Sequence, residues 1–114
     1  MPIQLVSSNR QMEPAEGVAK LIAEHRQSVA ELERIGKRAM EAEGTDAMVL
    51  GQRLDAVMAE EAAVRRRAAI APVATIAEMK MKAAYFQRLT AHDWCEVDVD
   101  DFSALLGSFA KLQS

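Results

Sequence analysis

The sequence predicts an all-α fold: a long antiparallel helical hairpin with two shorter helices packed on it. Three observations carry this reading. Apolar residues recur with a helical period through most of the chain. Gly44 interrupts the longest periodic run and suits a left-handed helix terminus. No stretch alternates apolar and polar residues convincingly enough to compete as a strand.

Residues 1–13 show no sustained period, so an extended or disordered segment is expected there, docked loosely through Ile3, Leu5 and Val6. Residues 14–114 form a single helical domain on the same reading. The first helix, about 14–43, should open at Pro14, which tolerates a first turn, with Glu13 and Glu16 beside the positive helix end. Val18, Leu21, Ile22, Val29, Leu32, Ile35, Ala39 and Met40 keep its period. Thr45 or Asp46 can cap a second helix at once, about 46–71. So short a turn makes the two helices antiparallel neighbours. The second helix stops at the Ala71–Pro72 step, because proline disfavours a helical residue before it. A third helix, about 76–90, opens with a capping box from Thr75 and Glu78. Its buried stripe reads Ile76, Met79, Ala83, Phe86 and Leu89, with Lys80, Lys82 and Arg88 outside. A fourth, about 99–112, follows an acidic link, with Asp98 or Asp100 as cap and Phe102, Leu105, Leu106, Phe109 and Leu112 inward.

The segment IAPVATIAEMKMKAAYF, Ile70 to Phe86, carries Pro-x-x-Thr-Ile-x-x-Met-x-x-Lys-Ala. It resembles a short signature of small uncharacterised helical proteins of alphaproteobacteria. The resemblance implies a helical fold and brings no activity with it.

Composition narrows the function classes. Half of the 114 residues are hydrophobic but only 4 % are aromatic, so the core must be built from closely approaching helices. The net charge of -3 disfavours a nucleic-acid partner. The apolar runs fall short of the roughly 20 residues that span a bilayer, and residues 1–14 lack a secretory pattern. No membrane partner and a cytoplasmic location are therefore expected. The single Cys95 fits a reducing compartment.

Along the second helix, Ala47, Leu50, Leu54, Val57, Glu61, Val64 and Ala68 form an apolar seam with one carboxylate set into it. Hairpin geometry places Leu32 against Val57, Ile35 against Leu54 and Ser28 against Glu61, with His25 one turn away. His25, Ser28 and Glu61 are thus a candidate polar layer. It either fixes the register, as buried polar residues do in coiled coils, or binds a small ligand. On the first reading a leucine at 61 should be neutral or stabilising. One His and one Glu provide no third metal ligand, and no residue set meets the requirements of a catalytic site. No enzyme activity, metal or cofactor is expected. The acids from Asp93 to Asp101 do not follow a calcium-loop pattern, and His92 with Cys95 has zinc-like spacing without a second pair. Arg65, Arg66 and Arg67 lack interleaved aromatics, so they are expected to complement the dipole at a helix C-terminus, two of the three simply solvated; a further use is pairing with the acidic link, within the chain or across a dimer. Gly36 and Gly51 are expected to let the hairpin backbones approach closely.

The resulting expectation is a small helical interaction or adaptor module, homodimeric or bound to another protein. Ile22, Val29, Met40, Val49 and Met58 form its expected interface strip. The alternative is a small-ligand sensor or carrier with its site near His25 and Glu61.

Overall fold

The computed structural model describes residues 17–112. The segment 1–13 and the expected helix start at Pro14 lie outside the described residues. Four helices follow in order: α1 (Gly17–Glu41), α2 (Gly44–Ile70), α3 (Ile76–Leu89) and α4 (Val99–Ala110). No strand occurs among the described residues, and none of these helices is long and apolar enough to cross a membrane.

The α1–α2 hairpin is antiparallel. Glu24 pairs with Arg67 at 3.4 Å, His25 with Glu61 at 2.7 Å and Glu31 with Arg53 at 3.3 Å. This ladder brackets the register that the turn predicts. The turn itself is tighter than expected. Gly44, at φ +63°, takes the left-handed conformation that glycine adopts without steric cost, and α2 already begins there. Neither Thr45 nor Asp46 caps it. The extended Glu43 holds that position without a side-chain bond, while Asp46 sits favourably in the first turn.

At the other end Ala71, extended before Pro72, stops α2. The Thr75 hydroxyl accepts the Glu78 N–H at 3.0 Å, opening α3. Glu78 reaches back one residue further than a capping box requires, accepting the Ala74 N–H at 2.7 Å. Asp98 and Asp101 form a reciprocal capping box that opens α4.

Two expected stripes are rotated. In α3 the buried residues are Lys82, Tyr85, Phe86 and Leu89, while Ile76 and Ala83 are exposed and Met79 is half-buried. These four positions have the i, i+3, i+4, i+7 spacing, and the charge of Lys82 hides the pattern. In α4 Asp101, Leu105 and Ser108 face inward; Phe102 and Leu106 are exposed, and Phe109 and Leu112 are half-buried. Asp101 is drawn in by arginines of α2, which turns the helix about its axis.

The core lies at the open end of the hairpin, where Val18, Ile22 and Val29 of α1 and Ala68 and Ala69 of α2 meet Phe86, Leu89 and Leu105. Ile22 and Val29 are buried in this core and do not belong to an uncovered strip. Towards the turn the cover thins. The α2 seam is buried at Glu61, Val64 and Ala68 but only half-buried at Ala47, Leu50, Leu54 and Val57. Gly36 also has a different role from the one expected. A Cβ there would overlap the Trp94 ring, so the glycine admits the indole of the 90–98 link, while Gly51 has nothing within 4 Å.

Candidate functional site: a buried polar network

Six side chains form a continuous chain that joins all four helices. The Tyr85 hydroxyl (α3) lies 2.7 Å from His25 Nδ1 (α1), and His25 Nε2 lies 2.7 Å from Glu61 Oε2 (α2). One turn on, Arg65 Nη1 donates to both Glu61 oxygens at 2.6 and 2.5 Å, and its Nε donates to Asp101 Oδ2 (α4) at 2.8 Å. Arg66 Nε completes the chain on Asp101 Oδ1 at 2.6 Å. With the phenol donating to Nδ1 and Nε2–H donating to the carboxylate, both ring nitrogens are satisfied.

Electrostatics favour the charged forms of the acids and of Arg65. Burial pushes the Glu61 carboxyl up, but hydrogen bonds from His25 and Arg65 outweigh it and hold the group below the usual carboxylate range. Burial likewise opposes ionisation of Asp101 and Arg65. Their mutual contact, with Arg66 and Glu61 on either side, lowers the acid and raises the base. Burial keeps the Tyr85 hydroxyl protonated, pushed up to about 12. Burial, then the Glu61 charge, raises the Cys95 thiol to about 11.

The expected pair of His25 and Glu61 is therefore present, whereas the arginine run is less solvated than expected: Arg65 is buried, Arg65 and Arg66 pair with the acidic link within the chain, and Arg67 pairs with Glu24. Ser28 is half-buried and the network runs without it. His92 Nδ1 accepts the Trp94 N–H at 3.1 Å within a local turn. The third donor that sequence spacing did not supply comes from the link. Cys95, buried, brings its sulfur to within 4.8 Å of ligand atoms of His25 and Glu61. An open cleft of about 850 Å³ adjoins them, lined by Met58, Glu61, Arg65, Trp94, Cys95 and Phe102 among others. His25 stands behind Glu61, shut off from solvent.

A second buried polar group sits apart. Lys82 Nζ donates to the Ala71 carbonyl at 2.5 Å and to Ser108 Oγ at 2.9 Å, and it lies 5.9 Å from the Phe109 ring centroid. Burial lowers its pKa to about 8. Fold and site together define a four-helix all-α protein organised around a buried ionic network. Comparison with protein-family models, with curated proteins and with solved structures finds no match.

Proposed function

We propose that this chain is a non-enzymatic helical interaction module that self-associates through the turn-proximal half of its hairpin. One observation carries the reading. Met40, Met48, Val49 and Met58 are 78, 66, 57 and 50 % exposed on an arm whose seam is itself only half-buried. Apolar side chains left exposed on both sides of a half-buried seam are the kind of surface an interface covers, and flexible methionines pack adaptably.

A second copy of the chain suits the arm in chemistry. A groove of about 420 Å³ near the turn has a floor of Val49 and Leu50 and a rim of Arg38, Glu41 and Asp46. A rim carrying both signs can be self-complementary under a two-fold axis, which uses one patch on both partners. Two bare hairpins packed this way make a four-helix bundle with the half-buried seams inside.

Light scattering at micromolar concentration should return twice the 12.5 kDa chain mass, with little change in moderate salt. The paired change Val49→Glu with Met58→Glu should return the single-chain mass without loss of helical circular dichroism. A monomer for the unaltered chain would refute self-association and leave the arm for a different protein.

A further inference from the structure

We infer that His25, Glu61 and Cys95 form a binding site for a divalent ion of the zinc class, open on its fourth side to the cleft beside α2. The inference is independent of self-association. The three donors come from α1, α2 and the 90–98 link, and their ligand atoms lie within 4.8 Å of one another, all on buried residues. One imidazole, one carboxylate and one sulfur suit zinc and exclude a hard-cation site, which would draw on oxygen alone. A thiolate and a carboxylate together offset the ion's two charges.

The surroundings are those of a supported site. Metal-bound imidazole normally hands its other nitrogen to a fixed partner, and here Tyr85 Oη stands 2.7 Å from Nδ1. Arg65, itself held by Asp101, fixes the carboxylate. Three protein donors with a solvent-reaching fourth position define an open zinc site, and the cleft reaches both Glu61 and Cys95. Two ligands at about 2.1 Å from a tetrahedral ion stand roughly 3.4 Å apart. The 2.7 Å gap between Nε2 and Oε2 must therefore open slightly as the ion replaces the shared proton. The Arg65 guanidinium opposes a nearby cation. Its bond to Asp101, and Asp93, Glu96 and Asp98 around the cleft, offset that repulsion.

The step balances simply. Bonds form from the ion to His25 Nε2, a Glu61 oxygen and Cys95 Sγ while three of its waters leave. The thiol proton passes to solvent, and the imidazole proton moves to Nδ1, facing the Tyr85 oxygen.

Cys95 is the sole cysteine of the chain, so a thiolate-to-metal absorption band on titration with cobalt(II) or cadmium(II) reports this site alone. The full chain should show a band that saturates at one ion per chain, releases one proton and is displaced by zinc. Cys95→Ser should abolish it. Glu61→Gln and His25→Gln should weaken binding at least about tenfold and Tyr85→Phe by about tenfold, the effect typical of an outer-shell partner. His92→Ala should leave binding unchanged. The site is refuted if the folded wild type gives no band or binds one ion per two chains. It is also refuted if the band persists undiminished in the His25 and Glu61 variants or disappears with His92. Should the His25 and Glu61 variants fail to fold, the wild-type stoichiometry with Tyr85→Phe and His92→Ala decides.

Discussion

Lys82 is fully buried, and its ammonium meets a carbonyl, a hydroxyl and a ring but no carboxylate among the described residues. Its pKa falls from 10.5 to about 8 through burial, so the folded protein disfavours the protonated form. The sign follows: this group costs stability below pH 8, and the cost fades as pH rises towards 10.5. A shift of this size corresponds to something on the order of 3 kcal/mol. Lys82→Met should therefore be more stable than wild type at pH 7, and the gap should close by about pH 10, measured by denaturant unfolding of both chains. Comparing the two chains removes the opposing contributions of Cys95 and Tyr85, whose raised pKa values lose stability in alkali. Glu61 behaves oppositely. As a lone polar layer it could be traded for leucine, but it bridges His25 and Arg65. Glu61→Leu takes the acceptor from buried His25 Nε2 and Arg65 Nη1, leaving Arg65 only Asp101, and should cost roughly 3–5 kcal/mol, read as a large fall in melting temperature. The His25–Glu61 pair was legible because a short turn at Gly44 dictates the hairpin register. Tyr85 and Cys95 were not, since their positions depend on how α3 and the link dock. From sequence Lys82 belongs on the outside, because a lysine is rarely fully buried.

At the level of elements, the helices themselves were readable from period and caps, whereas their rotation was set by polar contacts that no periodicity shows. Asp101, which accepts the N–H of the capping residue Asp98, also accepts from two consecutive arginines, and that pull turns Phe102 and Leu106 outward. Two glycines inside the hairpin helices provide a direct test. At Gly51 an added methyl meets nothing within 4 Å, so Gly51→Ala should stabilise by about 1 kcal/mol through helix propensity. At Gly36 the same methyl runs into the Trp94 indole. Overpacking of that kind costs about 1–3 kcal/mol and exceeds the propensity gain. Gly36→Ala should lower the melting temperature and shift the fluorescence of the chain's only tryptophan. A Gly36→Ala protein as stable as wild type, with unchanged emission, would mean that the link does not rest there.

At the scale of the whole molecule, the described residues span 60 × 35 × 17 Å and are stabilised unevenly along that length. At the open end of the hairpin the α1–α2 pair is covered by α3 and α4, pinned by the Tyr85–Asp101 network and backed by the apolar core. Beyond Gly36 the two helices have mainly each other, and the surface ion pairs near that point, Lys37 with Glu33 within α1 and Arg53 with Glu31 between the helices, contribute little. Isolated helices of this length are marginal without tertiary burial, so the arm should open locally long before the base does. The proposed self-association would change only one of these halves. Binding of a second copy stabilises the arm in proportion to the logarithm of protein concentration and leaves the base untouched. Amide hydrogen exchange should therefore show slow, concentration-independent protection around His25, Glu61 and Phe86. Protection of residues 38–56 should increase as the chain is concentrated and disappear in the Val49→Glu, Met58→Glu double variant. Uniform protection along the hairpin at all concentrations would show that the arm is stable without a partner, and the exposed methionines would then need another explanation.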